Sequence, residues 1–203
     1  MKHSTTRLKE AASVRAGLPI IILLIVLVIG LSACTFRKGE DTSDTQHKSF
    51  DSIMNAPFTS NRDQESGLLE ELISCVESQD QSELAKYFAP QLTASDTFEQ
   101  QCADLFDFYN GTMESNEWMG GITERSKKPG CKRINRKISY DVYTTDATYR
   151  FAILFCTMDT QDEGNIGIQS LYIIRFEDTD PQYSYWGDGN WTPGINVMTE
   201  PQA

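Results

Sequence analysis

The chain has 203 residues, of which 18 are basic and 29 acidic, and its formal net charge is −11. This length accommodates one domain of ordinary size together with a leader segment. The acidic balance argues against nucleic acid as a partner, because phosphate binding requires clustered Lys and Arg.

The first 33 residues have the order of a secretory signal peptide. Four basic side chains, at positions 2, 7, 9 and 15, precede an apolar run at residues 18–28. A stable membrane-spanning helix needs about 20 apolar residues, and the segment 18–31 is shorter and contains a proline and a glycine. We therefore expect residues 1–33 to be removed during export.

The end of this segment predicts the attachment of a lipid. Leu31, Ser32 and Ala33 form a recognition sequence for a signal peptidase, and Cys34 follows them directly, as in bacterial lipoprotein signals. The Cys34 thiol is expected to carry a diacylglyceryl group. Additional acyl chains, such as palmitate, bind membranes more firmly than one chain alone. The expected location is the extracytoplasmic face of the bacterial cell membrane.

Residues 34–64 are mostly polar and predict a flexible tether, within which residues 50–54 are a candidate docking turn. The chain has two histidines, His3 in the signal segment and His47 in the tether, so the folded domain is predicted to have none. This argues against Ser-His-Asp and Cys-His nucleophiles and against histidine-rich metal centres. No catalytic residue, metal or cofactor is assigned, and chemistry based on carboxylates alone remains open.

Three helices are predicted after the tether. The first covers residues 65–78, where apolar side chains recur at spacings of three and four. Asp80 is a predicted N-cap for a short second helix, which Pro90 ends. The third helix is capped by Ser95 or Asp96 and ends before an Asn-Gly pair at residues 110–111.

Four strands are predicted, at residues 113–125, 131–143, 147–158 and 166–177, with turn-like sequences between them. Residues 151–156 are apolar at both alternating phases, so we expect a central strand that is covered on both faces. The basic stretch at residues 125–137 is interpreted as the solvated end of a hairpin.

These elements predict an α+β fold in which N-terminal helices pack on a curved antiparallel sheet. The single domain is expected over residues 65–197, with a tail at residues 198–203. Four cysteines besides Cys34 allow three pairings, and both disulfides and buried free thiols remain open: Cys75, Cys102, Cys131 and Cys156.

Three segments carry a resemblance to known domains. Residues 70–73 (EELI) and 80–88 (DQSELAKYF) resemble the opening helices of nuclear-transport-factor-2-like domains, and residues 164–171 (GNIGIQSL) add to the similarity. With the lipidation signal, they resemble a family of uncharacterised Gram-positive lipoproteins, domain of unknown function 5104. The resemblance implies a cone in which a curved sheet and a long helix enclose a pocket. Enzymes of that superfamily, such as ketosteroid isomerases and polyketide cyclases, use Asp, Tyr or His there, and no such residue carries over.

Aromatic and polar residues on the predicted strands are candidates for this pocket: Trp118, Tyr140, Tyr149, Arg150 and Tyr172. Trp186 and Trp191, in the segment after the last predicted strand, are candidates for its rim. Arg150 either holds an anionic ligand, pairs with an acid such as Glu70 or Asp107, or points to solvent.

Two loops have weaker signals. Residues 183–194 (YSYWGDGNWTPG) either bind a sugar or peptide by stacking or fold over the mouth of the cone. Asp159, Asp162 and Glu163 are similar to part of a calcium loop but lack the later acids of an EF-hand, so a solvated acidic turn is the preferred interpretation.

The sequence favours a non-enzymatic lipoprotein that binds a small ligand or an envelope protein through its pocket. An isomerase-like or cyclase-like enzyme with a buried carboxylate or tyrosine is the first alternative. A purely structural interaction module is the second.

Overall fold

The computed structural model describes residues 47–178, 186–187 and 189–198. The helices are α1 (Phe50–Met54), α2 (Asn61–Glu77), α3 (Gln81–Ala85), α4 (Pro90–Thr93) and α5 (Phe98–Phe108), and the strands are β1 (Met113–Lys128), β2 (Cys131–Thr144), β3 (Thr148–Asp159), β4 (Gly167–Arg175) and β5 (Gly194–Met198). The signal segment, Cys34 and the tail beyond residue 198 lie outside the described residues. Within the described part, no helix is long and apolar enough to cross a bilayer.

The long helix α2 begins four residues earlier than the periodicity predicts. Ser60 accepts a hydrogen bond from the Asp63 N–H, and the Asp63 side chain accepts one from the Ser60 N–H. This reciprocal capping box satisfies two N–H groups that an uncapped helix end would leave unpaired. The apolar face of α2 is buried, as predicted, through Leu68, Leu69, Leu72, Ile73 and Val76.

The shorter helices confirm one predicted cap and correct two boundaries. Asp80 caps α3 by accepting a hydrogen bond from the Glu83 N–H at 2.9 Å. Pro90 begins α4 instead of ending α3, because proline is well suited to the first position of a helix, where its missing N–H is not needed. The predicted caps of α5 were wrong: the helix follows Thr97, which makes no side-chain capping bond.

Part of the predicted tether is packed against the domain, where the candidate docking turn at residues 50–54 forms α1. Phe50 and Ile53, on α1, are only 6% and 5% exposed and belong to the main core. The two side chains lie three residues apart and therefore share one face of the short helix. The packed part of the chain thus starts well before residue 65.

The sheet has the order β1-β2-β3-β4-β5, and the first four strands form the predicted antiparallel meander. The expectation of an antiparallel sheet throughout was wrong, because β5 pairs with β4 in parallel. A parallel pair requires the chain to cross back between strands, and residues 176–193 make that connection. The mixed α+β class is confirmed.

Both faces of the central strand β3 are covered, as predicted. Phe151, Ile153 and Phe155 are fully buried in the main core, which includes the apolar face of α2. Ala152 faces the other way and joins a second cluster with Tyr172, Ile174 and Met198, against which Trp191 packs. The sheet therefore has a face that packs against the helices and a second face on which Trp191 packs.

Candidate functional site

A cavity of about 330 Å³ lies between the first turns of α2 and the strands β1 and β2. It is lined by Arg62, Asp63, Ser66, Asn116, Glu117, Trp118 and Tyr140. Trp118 and Tyr140 are directly opposite each other in the β1–β2 register. Irregular pairing between Trp118 and Gly120 marks a bulge at this point, and bulges bend a strand and redirect its side chains.

Two side-chain polar atoms of these lining residues are buried and make no close hydrogen bond, although the Trp118 side chain still lowers the pKa of the neighbouring Glu65 carboxyl through a weaker contact. They are the Tyr140 hydroxyl oxygen and the Trp118 indole nitrogen, Nε1. Tyr140 as a whole is only 2% exposed. An unsatisfied buried donor costs about 1–3 kcal/mol, so such groups call for a structural or functional reason.

Arg62 covers the aromatic wall of the cavity. Its guanidinium carbon lies 4.5 Å from the centre of the Trp118 ring, within the range of a cation–π contact. Arg62 is itself exposed at the surface. Because an exposed arginine changes its rotamer at little cost, a ligand that competes for the Trp118 ring can displace it.

Glu65 is buried next to this cavity, with 6% of its surface exposed. Its Oε1 lies 3.8 Å from Nη1 of Arg136, which also donates to the Gln64 side chain at 3.0 Å. Burial raises the pKa of the Glu65 carboxyl, and the nearby Arg136, Trp118 and Arg62 groups offset that effect only in part. The carboxyl is therefore easier to protonate than an exposed glutamate.

Tyr140 and Glu65 influence each other electrostatically. Burial raises the pKa of the Tyr140 hydroxyl, and the negative charge of Glu65 raises it further. The hydroxyl therefore stays protonated and available as a hydrogen-bond donor. A buried carboxyl with a raised pKa beside a tyrosine is also an arrangement that can transfer protons to and from a bound molecule.

The predicted pocket residues are divided between two places. Trp118 and Tyr140 meet in the cavity, whereas Arg150 lies on the second face of the sheet. Arg150 Nε donates to Asp141 Oδ1 at 2.6 Å, so its carboxylate partner is neither Glu70 nor Asp107.

Tyr149 is fully buried, and its hydroxyl donates to the Phe108 carbonyl at 3.2 Å. The same oxygen accepts a hydrogen bond from the Asn110 N–H at 2.9 Å. Both contacts join β3 to the end of α5. Tyr149 therefore has a structural role.

The remaining aromatic candidates cover the second face of the sheet. The rings of Tyr172 and Trp191 lie 6.1 Å apart, edge to face, and Trp186 lies 5.9 Å from Trp191. The Thr192 N–H donates to the Tyr172 hydroxyl at 2.8 Å. These described residues of the 183–194 segment pack on the sheet, away from the Trp118–Tyr140 cavity. The rest of that segment, at positions 183–185 and 188, lies outside the described residues.

The prediction of a histidine-free domain was wrong. His47 Nδ1 lies 3.0 Å from Glu71 Oε2 and 3.9 Å from the Cys75 sulfur, with 12% of the side chain exposed. This is no nucleophile system, because both groups approach the same ring nitrogen. Burial also raises the pKa of the Cys75 thiol to about 12. His47 instead fastens the start of the described chain to α2.

The four described cysteines are unpaired, and Cys75, Cys102 and Cys156 are buried. The acidic turn is held by local hydrogen bonds. Asp159 accepts from the Gln161 N–H and the Asn165 side chain, while Asp162 accepts from the Gly164 N–H. Among residues 47–178 and the described C-terminal segments, no group of three or more His, Cys, Asp or Glu is placed to hold a metal ion.

Sequence reasoning missed Glu65, although a signal for it was present. Glu65 precedes Leu68, Leu69 and Leu72 at helical spacing, so it occupies the apolar stripe of α2. A charged residue at such a position is a candidate for a buried functional group. Arg136 lies beside Glu65 because of the register of β2 in the sheet. The sequence around Arg136 has no local pattern that predicts this contact.

No curated protein matches the chain. A family model, described as a domain of unknown function (DUF5104), matches residues 71–176. The matched range contains Trp118 and Tyr140, whereas Arg62 and Glu65 precede it. Since the match covers more than half of the sequence, the chain belongs to the DUF5104 family.

Proposed function

We propose that the protein is a lipid-anchored extracytoplasmic binding protein whose Trp118–Tyr140 cavity takes a small polar ligand. The observation that carries the proposal is the buried Tyr140 hydroxyl, which lacks a hydrogen-bond partner in the structure, next to the Trp118 indole N–H, whose contact with the Glu65 carboxyl falls short of a close hydrogen bond. A ligand that accepts hydrogen bonds from them would remove their desolvation cost, which gives binding a specific energetic gain.

Anchoring and export belong to the same proposal. They rest on the order of charge, apolar run, Leu31-Ser32-Ala33 and Cys34 in the sequence. Diacylglyceryl-modified Cys34 would hold the domain on the outer side of a Gram-positive cell membrane. Intact-mass measurement of the protein from native membranes tests this part: a mature chain that starts at Cys34 and carries diacylglycerol is expected, and a retained initiator methionine contradicts it.

A nuclear-transport-factor-2-like cone is the proposed finer description of the fold. Its support is a long helix, α2, against one face of a sheet whose register shifts at several places along β1, β2 and β3. Such irregularities curve a sheet. The cavity lies between this helix and the sheet, where a cone-shaped fold would hold a ligand.

The lining indicates the chemistry of the ligand. Arg62, the Trp118 N–H and the Tyr140 hydroxyl offer hydrogen-bond donors, so a carboxylate or carbonyl group suits this end of the cavity. The Trp118 ring offers a flat surface once Arg62 moves aside. We therefore propose a small molecule with an acceptor group next to a planar or apolar part.

A thermal-shift screen tests ligand binding. The fragment should begin at Thr35, because Phe50, Ile53 and the Ser60 cap belong to the folded part. A ligand at 100 times its dissociation constant stabilises the fold by about 2.7 kcal/mol. A hit should be weakened by Trp118→Phe, which removes the indole N–H, and unaffected by Trp186→Phe on the second face. A flat response to a broad panel of carboxylates and carbonyl compounds would contradict the proposal.

A second candidate function is an isomerase-like or cyclase-like enzyme. The specific observation in its favour is the buried Glu65 carboxyl, whose pKa is raised, beside the unpartnered Tyr140 hydroxyl. Glu65 would remove a proton next to a substrate carbonyl, and Tyr140 would donate a hydrogen bond to the carbonyl oxygen. Solvent-deuterium exchange into a panel of apolar ketones, followed by NMR, tests this. Exchange should be lost in Glu65→Gln and kept in Glu70→Gln, and absence of exchange over the panel removes this candidate.

A further inference from the structure

The hairpin of β1 and β2 concentrates the positive charge of an otherwise acidic chain. Seven of the 14 basic residues from Cys34 onward lie between positions 125 and 137, and that stretch contains no acidic residue. The 170 residues from Cys34 to residue 203 carry 28 acidic and 14 basic side chains, so their net charge is −14. Charge is thus strongly separated between the hairpin and the rest of the chain.

The strand register brings four of these cations to one face of the hairpin. Lys127 is opposite Lys132, Arg125 is opposite Ile134, and Thr123 is opposite Arg136. Since residues two apart on a strand share a face, Arg125, Lys127, Lys132 and Arg136 form one surface, here named the cationic face. Like charges directly opposite each other destabilise a hairpin. The Lys127–Lys132 pair therefore lacks a stability advantage in the isolated domain.

Most of the cationic face has no acidic partner. Arg136 lies near Glu65, but Arg125, Lys127 and Lys132 are exposed and form no ion pair within the described residues. Two other cations of the hairpin form ion pairs, Lys137 with Glu124 at 2.9 Å and Arg133 with Asp159 at 3.7 Å. The cations without an ion pair, Arg125, Lys127 and Lys132, therefore lie near the turn of the hairpin.

We propose that the cationic face docks onto anionic phospholipid headgroups of the membrane that carries the protein. This inference rests on the proposed lipid anchor. Thirteen peptide units separate Cys34 from His47, and a chain of that length reaches at most about 45 Å. The bilayer is therefore always within reach of the domain. Its negative headgroups attract the hairpin and repel the acidic remainder, which orients the domain with the hairpin toward the lipid.

Lysine footprinting on the lipidated full chain tests the proposal. The protein is reconstituted in vesicles of phosphatidylcholine alone or of phosphatidylcholine mixed with phosphatidylglycerol, and acetylation is followed residue by residue with mass spectrometry. A single basic residue near an anionic surface gains about a fivefold preference for it. Acetylation of Lys127 and Lys132 should slow by about that factor on the anionic vesicles, while exposed Lys48 and Lys86 serve as internal controls on the same molecules.

Two double variants distinguish an effect of the cationic face from an effect of the total charge of the protein. Arg125→Gln with Lys127→Gln should restore fast acetylation of Lys132 on anionic vesicles. The matched variant Lys48→Gln with Lys86→Gln, which removes the same charge elsewhere, should leave its protection unchanged.

Equal protection on both kinds of vesicle, or none on the anionic one, would overturn the proposal. Protection by inorganic phosphate without vesicles would identify a small-anion site instead, and protection only in native membranes would indicate an acidic protein partner. The intact mass of the same sample reports the lipid on Cys34, so failure of the anchor and failure of docking are distinguished.

Discussion

Arg150 and Asp141 form a buried, two-pronged ion pair on adjacent strands of the second sheet face. Nε of Arg150 lies 2.6 Å from Asp141 Oδ1, and Nη2 lies 2.8 Å from Oδ2. The residues are 7% and 2% exposed and directly opposite each other in the β2–β3 register. The two hydrogen bonds between these side chains help to accommodate both charges next to Ala152 and Tyr172.

Asp141→Ala should destabilise the fold strongly. Asp141→Ala removes the carboxylate that makes two hydrogen bonds with the buried Arg150 guanidinium, and removing one partner of a buried ion pair costs about 3–5 kcal/mol. The measurement is the free energy of unfolding in urea. The double variant Asp141→Val with Arg150→Met, which removes both charges with little change in total volume, should lose much less. Equal losses in the single and double variants would show that packing, and not the loss of the ion pair, dominates.

The buried tyrosines allow a matched pair of substitutions. Tyr140→Phe removes a hydroxyl that has no partner, so the variant should be as stable as the parent or about 1 kcal/mol more stable. Tyr87→Phe removes a hydroxyl that donates to the Lys48 carbonyl at 2.6 Å, so it should lose about 1 kcal/mol. Urea unfolding of both variants measures the difference.

A clear loss of stability in Tyr140→Phe would mean that its hydroxyl contributes to folding. It would then not be held available for a ligand, and the main support for the cavity as a binding site would disappear. Stability gained on removing a polar group, together with weaker ligand binding, is the pattern expected of a functional residue.

The elements that could be predicted from the sequence are those with local causes. The apolar spacing of Leu68, Leu69 and Leu72 and the cap at Asp80 depend on residues three or four positions away, and the structure confirms both. The apolar run at residues 151–156 likewise predicted a central strand. These features are determined within one turn of helix or a few residues of strand.

The features that were missed depend on contacts between distant residues. β5 has five residues and pairs with β4 in parallel, so no hairpin signal precedes it. His47 lies in polar sequence and becomes part of the fold only through its contact with Glu71 on α2, whereas residues 50–54 were a candidate docking turn. The cavity was half predictable: Trp118 and Tyr140 were candidates, but Glu65 and Arg62 join them through tertiary packing alone.

Glu65 should make stability depend on pH in a defined direction. Its pKa is raised in the folded state above the ordinary value of 4.5, mainly by burial. The folded state therefore binds the proton more tightly than the unfolded state. The stabilisation that comes from this tighter proton binding is fully present below about pH 4.5, and it is lost as the pH rises through the folded-state pKa of Glu65.

Glu65→Gln should remove this pH dependence while leaving a side chain of similar size beside Arg136. The measurement is the midpoint of urea unfolding between pH 4 and 7. Asp63 and Asp159, whose pKa values are lowered by hydrogen bonds, lose their contribution as the pH falls below about 5, but they are the same in both proteins and cancel in the difference between Glu65→Gln and the parent. A Glu65→Gln variant with the same slope as the parent in this range would contradict the assignment.

Gly187 allows the aromatic cover of the second face to be loosened selectively. It has a φ of +62°, and a Cβ placed on it would lie 2.7 Å from the Tyr172 ring. Gly187→Ala should therefore push Trp186 and Trp191 away from the sheet. Gly189→Ala is the matched control: its φ is +77°, but nothing lies within 4 Å of the added carbon, so only the backbone cost of about 1–2 kcal/mol remains.

Acrylamide quenching of tryptophan fluorescence measures this change. In a Trp118→Phe background, the signal comes from Trp186 and Trp191 alone. Quenching should rise in Gly187→Ala and stay near the parent level in Gly189→Ala, since only the first substitution separates the cover from Tyr172.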